Sequence, residues 1–475
     1  MLKMEVTKMS VKRSSWFVSA LLLITLLMLT TGVWAQDSGS KFKFGITERL
    51  RNTYYNNITD YRAKETTIVE NKETVKYDDE TDFIRVRTNV WAQYSFTPSL
   101  MAFVQLTNEF RPYLIDPADR DFTFDEIFFD NLYLKWTVGS ATPVTFTVGR
   151  QNLMYGEGFV IMDGSPWDGS RSIYQDAVKV SLKKGTTTID LLGISNTAIE
   201  ERLPVLRGGD LQDGKLKAQP KDQPMNDNLE QAIGLYMVRK GESGCQFEGY
   251  YIYKMEDPEP VKGTALAPKD ELSFSTIGAR YSRPLTAKLS VTTEWAYQFG
   301  SQGDIDQQSY GGYAYLSYLV REKTKGTLSG GLTLLSGDDP TTANNEGWNP
   351  VFSRWPKWSE LYIYSYLGEE IQGARRVAYW TNLMQPYISW NCSPTPKINV
   401  TATFLHLQAI HNRMTGMAEF GKVRGNELQL WVKFNLSKSL SAHILYDHFF
   451  PGDFYADGSD SGQFIRGELM YKFSR

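Results

Sequence analysis

Residues 83–110 constrain the fold of this chain more than any other part of the sequence. In the first half of this stretch, apolar residues such as Val86 alternate with polar residues such as Arg85 and Arg87. Successive side chains of a strand point to opposite faces, so the pattern predicts a strand with one apolar and one polar face. A tight turn at 97–99 leads into a second run of the same kind. Each run reaches the roughly 9–11 residues that a tilted strand needs to cross a bilayer.

The same two-faced unit recurs along the chain. Strands are predicted at 42–55, 83–96, 101–110, 126–138, 144–155, 176–183, 187–196, 228–239, 245–254, 272–282, 288–299, 309–320, 327–336, 377–390, 397–408, 426–436, 440–450 and 463–473. Short connections alternate with long ones, as in an up-and-down barrel whose tight turns and long loops lie at opposite ends. The sequence therefore predicts an all-β fold, a transmembrane antiparallel up-and-down β-barrel of about 18 strands.

The first 35 residues predict a signal peptide. A basic start that includes Lys12 precedes an apolar run at 17–33, and cleavage is expected after Ala35. A membrane helix is the alternative, since the run approaches the length needed to span a bilayer. The polar residues that follow Ala35 favour cleavage. We therefore expect residues 36–475 to form a barrel in the outer membrane of a Gram-negative-type bacterium.

The composition agrees with a barrel that has a wet interior. The mean hydropathy is −0.37, too polar for a bundle of membrane helices, yet 13% of the residues are aromatic, as expected for a barrel with aromatic girdles. The net charge of −3 argues against nucleic acid as a partner. Cys245 and Cys392 lie beside short turns far apart in sequence, so we expect free thiols and no metal site.

The polar faces of the predicted strands carry many charges. A barrel of 16–18 strands leaves an aqueous channel, and the candidate lumen residues are Arg85, Arg87, Glu109, Arg111, Lys179, Glu294, Lys433 and Arg466. One interpretation is a solvated wall braced by internal ion pairs. The other is a selectivity filter, in which arginines on neighbouring strands attract anions and bind carboxylates in bidentate fashion.

Residues 126–180 resemble a known family. The segment contains Asp130-Asn131-Leu132-Tyr133, then Val148-Gly149-Arg150-Gln151-Asn152-Leu153-Met154-Tyr155-Gly156, then Trp167-Asp168-Gly169-Ser170-Arg171 and Asp176-Ala177-Val178-Lys179. A Gly-Arg-Gln element after a strand, with a Trp before an Arg in the next loop, is similar to the best-preserved block of the alginate-export family of outer-membrane barrels. The Arg-x-Arg pattern at Arg85 and the strand that holds Glu109 also resemble that family.

The resemblance implies an 18-stranded barrel whose electropositive, arginine-lined constriction passes an acidic polysaccharide. It implies pore-lining roles for Arg85, Arg87, Glu109 and Arg150, and positions at the pore mouth for Tyr155, Trp167 and Arg171. Strand alternation from Val148 instead places Arg150 on the lipid face, unless Gly149 marks a bulge that turns it inward.

The loop at 337–376 is rich in aromatic residues, among them Trp348, Trp355, Trp358, Tyr362, Tyr364 and Tyr366. Flat aromatic side chains in an inward-folded plug would stack on sugar rings. The simpler interpretation is that these residues are interfacial aromatics that pack a long loop.

An enzyme is not predicted. Neighbouring residues of a strand point to opposite faces, so Asp447 and His448 do not share a site, and His406 and His411 likewise differ by an odd number of positions. A hydrolase needs a base, a nucleophile and an orienting partner within hydrogen-bond reach. No carboxylate or thiol cluster accompanies the histidines, so we predict no catalytic residues, no metal and no cofactor.

The predicted function is an outer-membrane channel that passes an anionic oligo- or polysaccharide, alginate-like, by passive diffusion or export. A general or small-solute porin is the first alternative, and a barrel hydrolase is a remote one. The predicted partners are outer-membrane lipid, an anionic saccharide or another small anionic solute, and, for export, periplasmic export partners.

Overall fold

The computed structural model describes most of the chain after the predicted signal peptide. The described residues are 41–58, 61, 66–69, 72–75, 79–162, 174–197, 200, 202–207, 209–212, 215–218, 229–257, 270–353, 359, 361, 368–371, 374–377, 380–412, 421–455 and 458–475. The predicted cleavage after Ala35 lies outside them and stays a prediction. No helix in the described part is both long enough and apolar enough to cross a membrane.

The strands of the main sheet are numbered here in chain order. They are β1 (Phe42–Asn56), β2 (Thr81–Thr97), β3 (Leu100–Ile115), β4 (Phe122–Val138), β5 (Val144–Gln151), β6 (Gln175–Lys184), β7 (Thr187–Asn196), β8 (Glu230–Lys240), β9 (Gln246–Glu256), β10 (Leu272–Pro284), β11 (Leu289–Gln302), β12 (Ile305–Arg321), β13 (Gly326–Leu335), β14 (Leu383–Thr395), β15 (Ile398–Gln408), β16 (Val423–Asn435), β17 (Leu440–Pro451) and β18 (Gly462–Ser474).

The sheet closes on itself. Each strand pairs antiparallel with its neighbours in the chain, and β1 pairs with both β2 and β18, from Gly45 opposite Ser474 to Asn56 opposite Gln463. The result is the closed antiparallel barrel of 18 strands that the alternating pattern predicts. In the long loops, Thr66–Val69 pairs with Lys72–Val75, and Gly368–Ile371 pairs with Ala374–Val377. Leu206–Arg207 and, farther on, Asp210 and Leu211 pair with the edge of β4 beyond the end of β5.

The largest difference between a predicted and an observed strand boundary is at β14. We expect a strand at 377–390, whereas β14 runs from Leu383 to Thr395. Residues Ala374–Val377 instead pair with Gly368–Ile371 in a hairpin of the preceding loop. Both segments mix apolar and polar residues, so the sequence does not mark where the loop hairpin ends and the barrel strand begins.

Burial is inverted relative to a soluble sheet. On β11, Trp295, Tyr297 and Phe299 are 40–45% exposed on the outer face, whereas Glu294 and Gln298 on the inner face are fully buried. An apolar exterior with a polar interior is the arrangement that lipid outside and polar contents inside favour. Cys245 and Cys392 are free thiols, as the sequence predicts.

This arrangement makes a prediction for Leu191, which is 52% exposed near the middle of β7. We expect Leu191→Arg to lower the free energy of unfolding by about 2–4 kcal/mol, because arginine is costly at the bilayer midplane. Thr187→Arg, on the same face at the start of β7, is the control and should cost about 0–1 kcal/mol. Urea unfolding of protein folded into phospholipid vesicles measures both. Equal losses would show that Leu191 does not face hydrocarbon.

Candidate functional site

A buried carboxylate on β3, Glu109, is surrounded by arginines. Arg85 Nε lies 2.9 Å from it, Arg49 Nη2 lies 3.3 Å away, Arg111 Nε lies 3.7 Å away and Arg87 Nη1 lies 3.9 Å away. These side chains come from β1, β2 and β3, and only Arg111 keeps appreciable exposure, at 20% of its side chain. The structure therefore brings Arg85, Arg87 and Arg111 together, as expected from their neighbouring strands.

A second carboxylate extends this cluster across the closure of the barrel. Arg51 on β1 forms an ion pair of 2.6 Å with Glu468 on β18, and Arg49 Nε lies 3.9 Å from the same carboxylate. On the other side, Arg87 Nη2 lies 3.9 Å from Asp130 on β4. Charges from strands at both ends of the chain thus form one continuous network.

The network continues onto β16 and β17. Arg466 on β18 donates a hydrogen bond to His443 Nε2 at 3.0 Å, and its guanidinium lies 5.1 Å from the ring of Trp431. The ammonium nitrogen of Lys433 lies 4.6 Å from the centroid of the same Trp431 ring. Lys433 is exposed, whereas Arg466 is fully buried. We call the seven cations of this region the basic wall: Arg49, Arg51, Arg85, Arg87, Arg111, Lys433 and Arg466.

Arg49 and Arg51 are not among the candidate pore residues selected from the sequence. Both lie on the polar parity of β1, but their neighbours are known only once β1 pairs with β2 and β18. The register places Arg49 opposite Arg87 and Arg51 opposite both Arg85 and Glu468. The rule that a barrel must close, applied to the first and last strands, would have found them.

The opposite wall has a different chemistry. Tyr313 and Tyr250 donate hydrogen bonds to Glu294 at 2.8 and 3.2 Å, and Tyr236 donates one to Glu248 at 2.7 Å. One cation, Arg280, pairs with Glu248 at 2.6 Å and lies 3.9 Å from Glu294. We call this part of β7–β12, with its tyrosines, carboxylates and Arg280, the tyrosine wall.

The loop after β5 folds onto the tyrosine wall. Tyr155, expected at the pore mouth, stacks on Tyr236 with ring centroids 4.1 Å apart and donates a hydrogen bond to Asp190 at 2.6 Å. Burial, together with the Asp190 carboxylate, raises the pKa of Tyr155, so the hydroxyl stays a donor. Glu157 in the same loop pairs with Arg280 at 3.0 Å and accepts a hydrogen bond from Tyr315 at 2.7 Å.

The long loop after β13 also folds inward. Trp348 is 1% exposed and stacks on Phe159 of the first loop, with centroids 5.2 Å apart. It lies directly over Gly311 on β12, where an added Cβ would meet the indole ring at 2.7 Å. Trp348 therefore packs inside the barrel rather than at the membrane interface. Trp355, Trp358, Tyr362, Tyr364 and Tyr366 lie outside the described residues.

Contacts of this loop reach well beyond the strands it connects. The Val351 carbonyl accepts a hydrogen bond from Lys254 on β9, at 2.6 Å. Farther along, Ser359 donates a hydrogen bond to Glu427 on β16 at 2.8 Å. A loop that touches inward-facing residues of β9 and of β16 crosses the interior of the barrel. The open path is therefore narrower than an empty barrel of this size.

Arg150 does not join the basic wall. Its register partner is Asp176, and the pair next to it, Val148 and Val178, is exposed on the outer face. Arg150 is held there by two hydrogen bonds to Asp176, at 2.8 and 3.0 Å. It also donates a hydrogen bond to Glu200 in the loop after β7. The pairing runs through Gly149 without a register shift, so no bulge turns Arg150 inward. The alternation of side chains along β5 therefore predicts the outer position of Arg150 correctly, and the pore-lining role implied by the family resemblance does not fit this position.

Burial disfavours the ionised form of Glu200, but the hydrogen bonds and charge of Arg150, together with the backbone N–H groups of Arg202 and Leu203, hold the pKa of Glu200 below its ordinary value. The Arg150 group is therefore a closed ion cluster. Of the other candidates, Lys179 is half-buried on β6 opposite Thr147, and Glu294 belongs to the tyrosine wall. Trp167 and Arg171 lie outside the described residues.

The histidines do not assemble a catalytic group in the described part of the chain. Asp447 is fully buried on the inner face, whereas His448 packs against Phe450 on the outer face, with ring centroids 4.3 Å apart. His406 contacts Asn426 at 2.9 Å. Among the described residues, no three histidine, cysteine, aspartate or glutamate side chains come close enough to hold a metal ion.

The Glu109 cluster predicts a large effect of neutralising one carboxylate. We expect Glu109→Gln to lower the free energy of unfolding by about 3–5 kcal/mol, because it removes the negative charge that several buried guanidinium groups share. Glu322→Gln removes an exposed ion pair with Lys288 and is the control, with an expected loss of about 0–1 kcal/mol. Denaturant titration in vesicles compares them. A small loss at Glu109 would mean that the arginines are balanced elsewhere.

Solved structures from Pseudomonas aeruginosa have the same fold. OccK7 superposes with a TM-score of 0.51 at 11% identity, covering 92% of this chain and 99% of that chain. OccK2 in complex with glucuronate gives 0.51 at 12% identity, with 91% and 96% covered. The outer membrane protein OprD gives 0.50 at 11% identity, with 91% and 94% covered. At these identities the similarity shows the fold alone.

Sequence comparison is more specific. A comparison with curated proteins found no match. The profile of the family described as Alginate export matches residues 56–464, which is most of the chain, and confirms the resemblance noted at residues 126–180. The match agrees with the closed barrel and with a location in the outer membrane. The chain therefore belongs to the Alginate export family and is an outer-membrane channel of the porin type.

Proposed function

We propose that this channel passes anionic saccharides of the uronate type along its basic wall. The observation that carries the proposal is the crowding of four guanidinium groups between 2.9 and 3.9 Å from Glu109. Of these, Arg87 also contacts Asp130. Arg49 likewise lies 3.9 Å from Glu468. Four guanidinium groups that converge on one central carboxylate concentrate positive charge in this part of the wall. Fixed positive charge in a low-dielectric wall raises the local concentration of anions.

Two further lines support a uronate. The family is described as Alginate export, and alginate is a polymer of uronic acids. A structure with the same fold holds glucuronate, which carries the same carboxylate on a sugar ring. The planar guanidinium group matches a carboxylate in bidentate geometry, so arginine suits this chemistry better than lysine does.

The inward loops shape the path. The loops after β5 and β13 pack against the tyrosine wall, and the second loop also reaches Glu427 on β16. We propose that the solute passes between these loops and the exposed part of the basic wall. Lys433 and Arg111 are the members of the basic wall with the most exposed side chains among those described above. We propose that these two side chains contact the solute, while the buried arginines contribute to the positive electrostatic potential along its path. Export, and the periplasmic export partners that it implies, stay predictions.

A general porin is the second candidate, and a specific observation favours it. Most cations of the basic wall are already paired with carboxylates, as Arg51 is with Glu468 at 2.6 Å. Such pairs would brace a wide barrel and hydrate its wall without selecting a solute. The two functions differ in selectivity and in inhibition by saccharides, which the next two experiments measure.

Charge reversal tests the selectivity. At about 10 Å in water, reversing one charge changes the energy of a monovalent ion by about 0.8 kcal/mol, so roughly a two- to fourfold change in permeability ratio is expected after screening. Arg87→Glu and Lys433→Glu should each reduce the preference for anions by this factor in planar bilayers. Lys288→Glu, in a short turn at the end of the barrel, is the control. Cation preference in the unaltered protein would contradict the proposal outright.

Inhibition by saccharides separates the two candidates. A short oligogalacturonate should reduce the single-channel current in a concentration-dependent manner, whereas a maltooligosaccharide of the same length should not. The reason is that only the uronate carries carboxylates for the basic wall. The inhibition should weaken in Lys433→Glu. Equal inhibition by both oligomers, or by neither, would favour the general porin.

A further inference from the structure

The outer surface of the barrel has one depression that the channel function does not use. It has a volume of about 840 Å³, within the range of roughly 300–1,000 Å³ typical of ligand sites. Its walls include Leu132, Val148, Val178, Ile233 and Tyr253, from β4, β5, β6, β8 and β9. Val148, Val178 and Ile233 are 46–64% exposed, so the depression opens toward the membrane rather than the lumen.

The depression exists because β7 carries a glycine in the middle of this apolar row. Gly193 is the register partner of Val178 on β6 and of Ile233 on β8, so the three lie side by side on the outer face. A Cβ added at Gly193 would meet no atom within 4 Å. The missing side chain therefore leaves a slot between two apolar neighbours, and none of the described residues fills it.

A polar row lies immediately beyond the slot, toward the end of the barrel that carries the long loops. It contains Arg150, Asp176, Ser195 and Gln231, each two residues beyond a member of the apolar row. A change from apolar to charged residues on the lipid face marks the boundary between hydrocarbon and headgroups. The slot therefore lies in the hydrocarbon of the outer leaflet, next to the headgroup layer.

Arg202 covers the polar end of the slot. Its Nη1 contacts Asp176 at 3.2 Å and the Ser195 carbonyl, its Nη2 donates to Ser195 Oγ at 2.9 Å, and 39% of its side chain is exposed. Arg150 holds Asp176 by two hydrogen bonds and Glu200 from the buried side. Arg202 is thus the outermost charge of this cluster, and it is fixed in place.

We propose that this groove binds a phosphate-bearing lipid of the outer leaflet. One acyl chain occupies the slot at Gly193, and the lipid phosphate binds the exposed edge of the Arg202 guanidinium. An apolar slot in the hydrocarbon layer suits an acyl chain, and a fixed guanidinium at headgroup level suits a phosphate. This proposal is independent of which solute the channel passes.

Gly193→Leu and Arg202→Gln test the two halves of the site. Full-length protein in detergent is titrated with diphosphoryl lipid A, and binding is measured by native mass spectrometry. Gly193→Leu fills the slot, and Arg202→Gln removes the charge that binds phosphate. Each should weaken binding by about tenfold or more.

Gly467→Leu is the matched control. Gly467 also lies on the outer face, opposite Ile444 on β17, and a Cβ there also meets no atom within 4 Å, but no arginine covers it. It should bind lipid A as the unaltered protein does. If all three variants bind equally, the site does not exist, and normal binding by Arg202→Gln alone would overturn the phosphate contact. If Gly193→Leu does not fold, Gly193→Ala replaces it in the experiment. The expected loss of affinity for lipid A is then smaller but still measurable.

Discussion

Every part of this molecule depends on the pairing of β1 with β18. Lipid offers no hydrogen-bond partner to a free backbone, so a sheet in a membrane must close. Closure brings residues from the two ends of the chain together, and it places Arg51 beside Glu468. The basic wall is a consequence, because closure joins the arginines of β1–β3 to the cations of β16 and β18.

Closure also creates an interior, and two long loops fill part of it. The loops after β5 and β13 meet inside, where Phe159 stacks on Trp348, and they pack against the tyrosine wall. Their contacts are specific at the level of single atoms, as with Gly311, whose missing Cβ admits the indole ring. The interior is therefore asymmetric: both loops pack against the tyrosine wall, whereas most of the arginines described above lie on the basic wall.

The sequence predicts the number and the faces of the strands, because alternation is a local property that each strand shows by itself. It does not predict Arg49 and Arg51 as part of the cluster, since that requires the register of the closing strands. Arg150 shows the reverse case: alternation places it correctly, while the resemblance implies a pore role. The sequence does not decide whether Trp348 lies inside the barrel or at the membrane interface, because aromatic-rich loops of both kinds have the same composition.

The energetics of the Glu109 cluster bear on the choice between a brace and a filter. Replacing a buried ion pair by apolar residues is often neutral or stabilising, so such pairs are weak evidence of stability. Around Lys254 the carboxylates are in excess, because its ammonium lies 2.7 Å from both Glu230 and Glu256 on β8 and β9. Around Glu109 the guanidinium groups of Arg49, Arg85, Arg87 and Arg111 all lie within 3.9 Å of that one carboxylate, and their like charges repel. An arrangement that costs folding energy in this way is explained better by attraction of an anionic solute than by support of the wall.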